Sequence, residues 1–164
     1  MDSPNIVSWF DGHWLDAFTR GSKQGFDSLS EKDRVLALVG AVFDHMIGAG
    51  IRVLYEGPAG ANTVAMADAF DAIGAKKAAK LIRDFDRFFP GGAPSQDEDE
   101  REQQVEKLPD KAWTVWRKFD DLFDEWVPGG ERVMLTQLHD WYHAQPDESA
   151  TRKAKPGKKR PRRR

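Results

Sequence analysis

Apolar residues return every third or fourth position through most of this chain, and that period limits its possible folds more than any single motif does. Val35, Leu38, Val39, Val42, Phe43 and Met46 form one stripe, and Ala78, Leu81, Ile82, Phe85 and Phe89 a second. Trp113, Trp116, Phe119, Phe123 and Trp126 form a third, and Met134, Leu135, Leu138, Trp141 and Tyr142 a fourth. Side chains at this spacing share one face of an α-helix. Almost no segment alternates with period two, so the expected fold is all-α, a compact bundle of six or seven short-to-medium helices. Hydrophobic residues make up 40% of the chain, with six Trp and ten Phe, enough to build a core although 32% is charged.

Helix boundaries follow from capping and turn chemistry. Ser3 and Pro4 read as an N-cap and first-turn proline for a short opening helix with Ile6, Phe10, Trp14, Ala17 and Phe18 on its face, weakened by Gly12. Ser30, with Asp33 three residues on, has the form of a capping box for the next helix, which ends near Gly48 and Gly50. The stretch "IRVLYEGPAGAN" at 51–62 reads as an extended piece or a short helix turning into a loop. Gly74 sits where a helix C-terminus wants a left-handed residue, between "TVAMADAFDAI" and "AKKAAKLIRDFDRFFP". Ser95 reads as the cap of a helix whose first turn holds Asp97, Glu98 and Asp99, where negative charge suits the macrodipole. Pro109 allows a restart, and "PGG" at 128–130 separates the last two helices.

The formal net charge of −2 hides an asymmetry. Of 25 Lys and Arg, nine lie between Arg152 and Arg164, where there is no acid. The preceding body holds all 27 acids against 16 bases, a net of −11, and the tail is +9. Composition therefore sets off a basic tail at 146–164 too poor in apolar residues to fold. There is no cysteine, so disulfides and thiolate metal sites are excluded. No run approaches the ~20 apolar residues of a membrane span, and "MDSPNIVSWFDG" lacks the features of a secretory signal. A cytoplasmic protein is expected.

No constellation for catalysis stands out, so the chain does not read as an enzyme, and no cofactor is implied. There is no nucleophile elbow and no Walker loop; "GPAGAN" at 57–62 lacks the Lys and Ser or Thr that would hold phosphate and magnesium, and reads as a turn. His139 and His143 have the i, i+4 spacing of zinc-binding helices, but with no third ligand marked they read as surface histidines near a helix C-terminus. Asp84 and Asp86, alternating with Arg83 and Arg87, read as a solvated flank.

The carboxylates are the informative feature. Between Asp97 and Glu106 six acids stand against one base, Arg101; in the next helix Asp120 with Asp124 and Asp121 with Glu125 are like-charge pairs at i, i+4, each costing a few tenths of a kcal/mol. Duplex DNA carries a charge every ~1.7 Å of axis, whereas a helix row with one acid per four residues offers one every ~6 Å. One such row is too sparse, but several acidic helices together, or one face doubled in a homodimer, approach the density of a strand. The candidate partner-binding face is therefore Asp97, Glu98, Asp99, Glu100, Asp120, Asp121, Asp124 and Glu125, directed at a basic protein surface. The alternative is direct, sequence-independent binding of nucleic acid through Lys158, Lys159, Arg160, Arg162, Arg163 and Arg164.

From Phe26 to His143 the chain resembles the bacterial DNA-mimic protein family, an all-helical domain also catalogued as a domain of unknown function. The matching stretches are "FDSLSEKDRVLALVGAVFDHMIGAG", "ADAFDAIGAKKAAKLIRDFDRFFP", "DEDEREQQVEKL", "WRKFDDLFDEW" and "LTQLHDWYHA". The most specific is "DAIGAKKAAKLI" with the following "FFP", an Ile-Gly-Ala corner and an aromatic-proline exit. Where the family usually shows Asn-Gly-Gly-Phe, this chain has Gly48, Ala49, Gly50 and Ile51. The resemblance implies a non-enzymatic acidic protein that occupies the DNA-binding surface of a partner, and it does not extend to the basic tail. It also implies a division of the rest of the chain into an N-terminal helical extension at 1–25 and a helical domain at 26–145.

Overall fold

The computed structural model describes residues 6–48, 50–126 and 130–146, and the side chains of all of these except 47 and 123–133. Eight α-helices and no strand are found among the described residues: α1 (Ile6–Gln24), α2 (Glu31–Gly48), α3 (Ile51–Glu56), α4 (Thr63–Ala72), α5 (Lys76–Asp86), α6 (Glu98–Glu106), α7 (Asp110–Trp126) and α8 (Gly130–Ala144). The all-α expectation holds. The stretch whose type the sequence leaves open, 51–56, is the short helix α3, followed by a 3-10 turn at Pro58–Asn62.

Helix α2 is the centre of the bundle. Every residue from Val35 to Phe43 is buried, on all sides of the helix, because α1, α3, α4 and α8 pack around it. Its start is as expected: the Asp33 N–H donates to Ser30 Oγ at 3.2 Å. The Asp33 carboxylate does not reach back to complete a capping box; it accepts from Arg20 Nη2 and from the Tyr142 hydroxyl, both at 3.1 Å, tying α1 and α8 to α2.

The opening helix is longer than its glycines suggest, running 19 residues, and its cap at Ser3 and Pro4 falls outside the described residues. Packing overrides propensity here: Phe10 and Ala17 are buried and Trp14 lies across α2, its indole N–H donating to Ala37 O at 3.3 Å. A Cβ at residue 40 would lie 1.9 Å from Trp14 Cδ1, so Gly40 is the notch that admits the ring.

The α4–α5 corner closes as read. Gly74 adopts φ +82°, Ala75 N–H bonds Phe70 O at 2.9 Å and Gly74 N–H bonds Asp71 O at 3.0 Å, the two bonds of a Schellman turn. Ala78, Ile82, Phe85 and Phe89 then enter the core, where Phe85 meets Tyr55 of α3 and Trp116 of α7. Helix α7 packs on α5 and α8, while α6 packs on α3 and the Pro58–Asn62 turn.

Candidate acidic interaction surface

Helix α6 carries the acidic run, and its cap is Asp97 rather than Ser95. Asp97 has extended φ/ψ, and its Oδ1 accepts from Glu100 N–H at 2.9 Å. Ser95 stands two residues earlier, so its Oγ braces the approach instead, accepting from Asp97 N–H at 3.1 Å and donating to Glu100 Oε2 at 2.7 Å. Gln104 Oε1 accepts from Ser95 N–H at 2.9 Å, folding the entering chain along the helix. Asp97 and Glu100 thus have structural roles, while Glu98, Asp99, Glu102 and Glu106 are exposed.

Only Arg101 and Val105 of α6 are buried, one helical step of four apart. Arg101 is 1% exposed and donates only to backbone: Nε to Tyr55 O at 3.0 Å, Nη2 to Gly57 O at 2.7 Å, and Nη1 to Ser95 O at 2.8 Å and Gln96 O at 3.3 Å. The lone base of the acidic run therefore faces inward. "GPAGAN" is a turn, as read, and forms part of the seat for this guanidinium. A Cβ at Gly60 would lie 2.3 Å from Tyr55 O, so only glycine lets the chain fold close under that carbonyl.

Beneath this seat is a second polar group that the sequence reading missed. Asp86 is not part of a solvated flank; it is 3% exposed and accepts from Tyr55 Oη at 2.8 Å and Thr63 Oγ1 at 2.9 Å. Burial pushes its carboxyl up from 3.8 to about 6, against the pull of the two hydroxyl bonds. Asp84 does flank α5, paired with Lys80 and with Arg87 at 3.1 Å.

Charge on α6 is handled differently from that on α3, α4 and α5. Arg83 bridges Asp68 at 2.7 Å and Asp71 at 2.6 Å, Arg52 pairs with Glu56 at 2.5 Å, and Arg20 with Asp16 at 2.9 Å. Among the described residues none of the six α6 carboxylates, Asp97 to Glu106, forms an ion pair. The field of Glu106 does reach Arg52, adding a minor part to the raised pKa of that guanidinium, which Glu56 dominates.

The rest of the candidate face is distributed on another support. Asp121 of α7 is exposed beside Lys77, Lys80 and Lys118, and Asp120 is half-buried. The side chains of Asp124 and Glu125 lie outside the described residues, as do the tail positions Lys158, Lys159, Arg160, Arg162, Arg163 and Arg164. Helix α6 rests on α3, and α7 on α5 and α8.

The two α8 histidines take part in an aromatic seam with α1. His139 and His143 have ring centroids 4.4 Å apart, and Trp9 lies 4.8 Å from the first and 5.7 Å from the second, with His13 stacked on Trp9 at 5.3 Å. Burial, with His139, His13 and Lys32 nearby, lowers the His143 pKa. Among the described residues no group of three His, Asp or Glu is arranged to hold a metal, and no described helix is long and apolar enough to cross a membrane.

Neither the curated proteins nor the solved structures contain a match to this chain. A family model described as DMP19-like protein matches residues 27–145, from the turn after α1 to the end of α8, with α1 and the basic tail outside it. With the Gly74 corner, the aromatic-proline exit and the acidic α6 all inside that match, the chain belongs to the DMP19-like family of DNA-mimic proteins.

Proposed function

We propose that this protein is a binding protein, not an enzyme, and that its α6 carboxylates occupy the DNA-binding surface of a partner in place of phosphates. The observation that supports this reading is the absence, among the described residues, of any ion pair to the α6 acids, while the one cation within their run, Arg101, is turned inward onto backbone carbonyls. Six carboxylates over the ten residues from Asp97 to Glu106 span ~15 Å, one per ~2.5 Å of axis, against ~1.7 Å for duplex DNA. That density counts every acid around the helix, not a single row. Asp121, with Asp120, Asp124 and Glu125, extends the acidic character onto α7, and a second copy presenting the same face would double it. Attraction of this kind speeds encounter and weakens with salt.

The test is displacement. Host DNA-binding proteins held on duplex-DNA resin at low salt are released by adding the full chain. A variant with Glu98, Asp99, Glu102 and Glu106 all changed to lysine releases none. Equal release by both overturns the α6 reading; loss only when Asp120, Asp121, Asp124 and Glu125 are reversed moves the surface to α7. Retention of the protein itself on the resin, abolished by truncation after Ala150, favours the rival reading in which the nine Lys and Arg of the tail bind DNA directly.

A further inference from the structure

We infer that Arg101 is the positioning residue of the acidic surface: its guanidinium, bonded to carbonyls on both sides of the α6 N-terminus, fixes the direction in which the carboxylates point. The inference rests on the reading of α6 as a partner-binding helix.

Beyond the Asp97 cap and the bond that Gln96 Nε2 donates to Ala61 O at 2.8 Å, both at its entry, helix α6 has little else to orient it. It is nine residues long, shorter than the ~12–15 residues at which isolated helices become even marginal in water. Glu98, Glu102 and Glu106 repeat at i, i+4, so its outer row repels itself. Its only buried apolar side chain is Val105, and one such contact leaves a helix free to roll about it.

The guanidinium removes that freedom. Nε and Nη2 hold Tyr55 O and Gly57 O at the exit of α3, while Nη1 holds Ser95 O and Gln96 O in the chain that enters α6. Four bonds from three nitrogens in one rigid plane set rotation as well as position. No carboxylate among the described residues pairs with Arg101, so the cation is satisfied by peptide dipoles alone. An apolar side chain would also tether the helix here, and without the desolvation cost of a cation. What the fork adds is direction. A lysine at this position keeps the charge but offers one nitrogen in place of three, and so loses the fork.

The experiment uses the full chain and two probes: a stapled helical peptide with a lysine at every fourth position, which is rigid, and flexible octalysine. Arg101→Lys keeps net charge, so octalysine affinity stays within about twofold, while the rigid probe, which needs a preorganised row, loses about tenfold. Amides from Arg101 to Val105 exchange about tenfold faster or more, while α2 amides are unchanged. Wild-type affinity for the rigid probe in Arg101→Lys, or equal loss of both probes by a folded variant, overturns the inference. The triple change of Glu98, Glu102 and Glu106 to lysine loses both probes. Should it keep them, the acidic-surface reading itself fails, which is a separate outcome. If Arg101→Lys does not fold, Val105→Ala decides. With the clamp intact, amides 101–103 stay protected while 104–106 speed up, whereas uniform acceleration assigns the orientation to the valine and overturns the proposal.

Discussion

On α5, Lys80 pairs with Asp84, Arg83 reaches back past the Gly74 corner to Asp68 and Asp71, and Arg87 returns to Asp84, while Ile82 and Phe85 fill the core below. On α6 the one cation, Arg101, turns inward, a single valine is buried beside it, and the carboxylates form no ion pair among the described residues. The corner is a structural use of charge: it decorates a helix that apolar burial already holds. Helix α6 is held by a polar clamp, and its surface charge is not neutralised locally. The Glu98, Glu102 and Glu106 row repels itself at i, i+4, and the proposed partner surface supplies a role outside the fold for it.

The comparison breaks most sharply on core truncation. Phe85→Ala removes a ring that contacts Tyr55, Phe89 and Trp116, and is expected to cost about 3–5 kcal/mol in chemical denaturation. Val105→Ala, losing two methyl groups at a site of 1% exposure, is expected to cost about 1.5 kcal/mol. If the two cost the same, α6 is bound by apolar packing after all, and the contrast between the two helices fails.

The next effect is a pH dependence seated between them. Asp86, at the C-terminal end of α5, accepts from Tyr55, whose carbonyl in turn accepts from Arg101. Its folded pKa of about 6 is above the ordinary 3.8, so its neutral form is the one favoured by folding. The corresponding stability is fully present below 3.8 and is lost as pH rises through 6; the difference amounts to about 3 kcal/mol at most. Measured as the difference between wild type and Asp86→Asn, the gain should grow as pH falls from 7 to 4. A difference that is flat across that window would mean the carboxyl is solvated.

Much of the fold is legible because it rests on period and caps. The stripe from Val35 to Met46, the Ser30 cap and the Gly74 corner are each local signals that tertiary packing did not contradict. Helix α3 is too short, at six residues with Ile51, Val53 and Tyr55 among them, for a period to show against its β-branched and aromatic content. The site is less legible. An arginine inside an acidic run reads as local neutralisation, and its burial is hidden by its chemistry. The available signal is negative: with Val105 as its only apolar residue, α6 needs something else for an inward face, and the residue four before it is Arg101. Asp86 was readable in the same way, four residues after Ile82 and on the buried stripe, but the neighbouring Arg83 and Arg87 made it look solvated.

Capping sharpens the comparison at smaller scale. Asp97→Ala removes the acceptor for Glu100 N–H and one of the surface carboxylates together. It should cost about 1 kcal/mol and raise amide exchange in the first turn of α6. Asp97→Asn keeps the acceptor and removes the charge, so it should restore the stability but not the lost attraction for a basic probe. If Asn fails to restore stability, the carboxylate charge at the helix N-terminus matters more than its hydrogen bond.

The smallest effect belongs to the corner's ion pairs. Arg83→Ala breaks bridges to Asp68 and Asp71 that look strong by distance, at 2.7 and 2.6 Å, but all three side chains are well exposed. Water and salt screen such pairs, and the two aspartates left behind are readily solvated. The expected loss is therefore no more than about 1 kcal/mol, shrinking as salt is raised. Because removing Arg83 also leaves two more bare carboxylates on the surface, the same variant asks whether bare charge alone makes a binding face. Octalysine should bind it somewhat better than wild type, since that probe is flexible and reads only local charge. The rigid lysine helix should not improve, because Asp68 and Asp71 are only two acids on a helix with no clamp like that of Arg101. An equal gain for both probes would mean that orientation contributes nothing, and would remove the distinction drawn between the corner and α6.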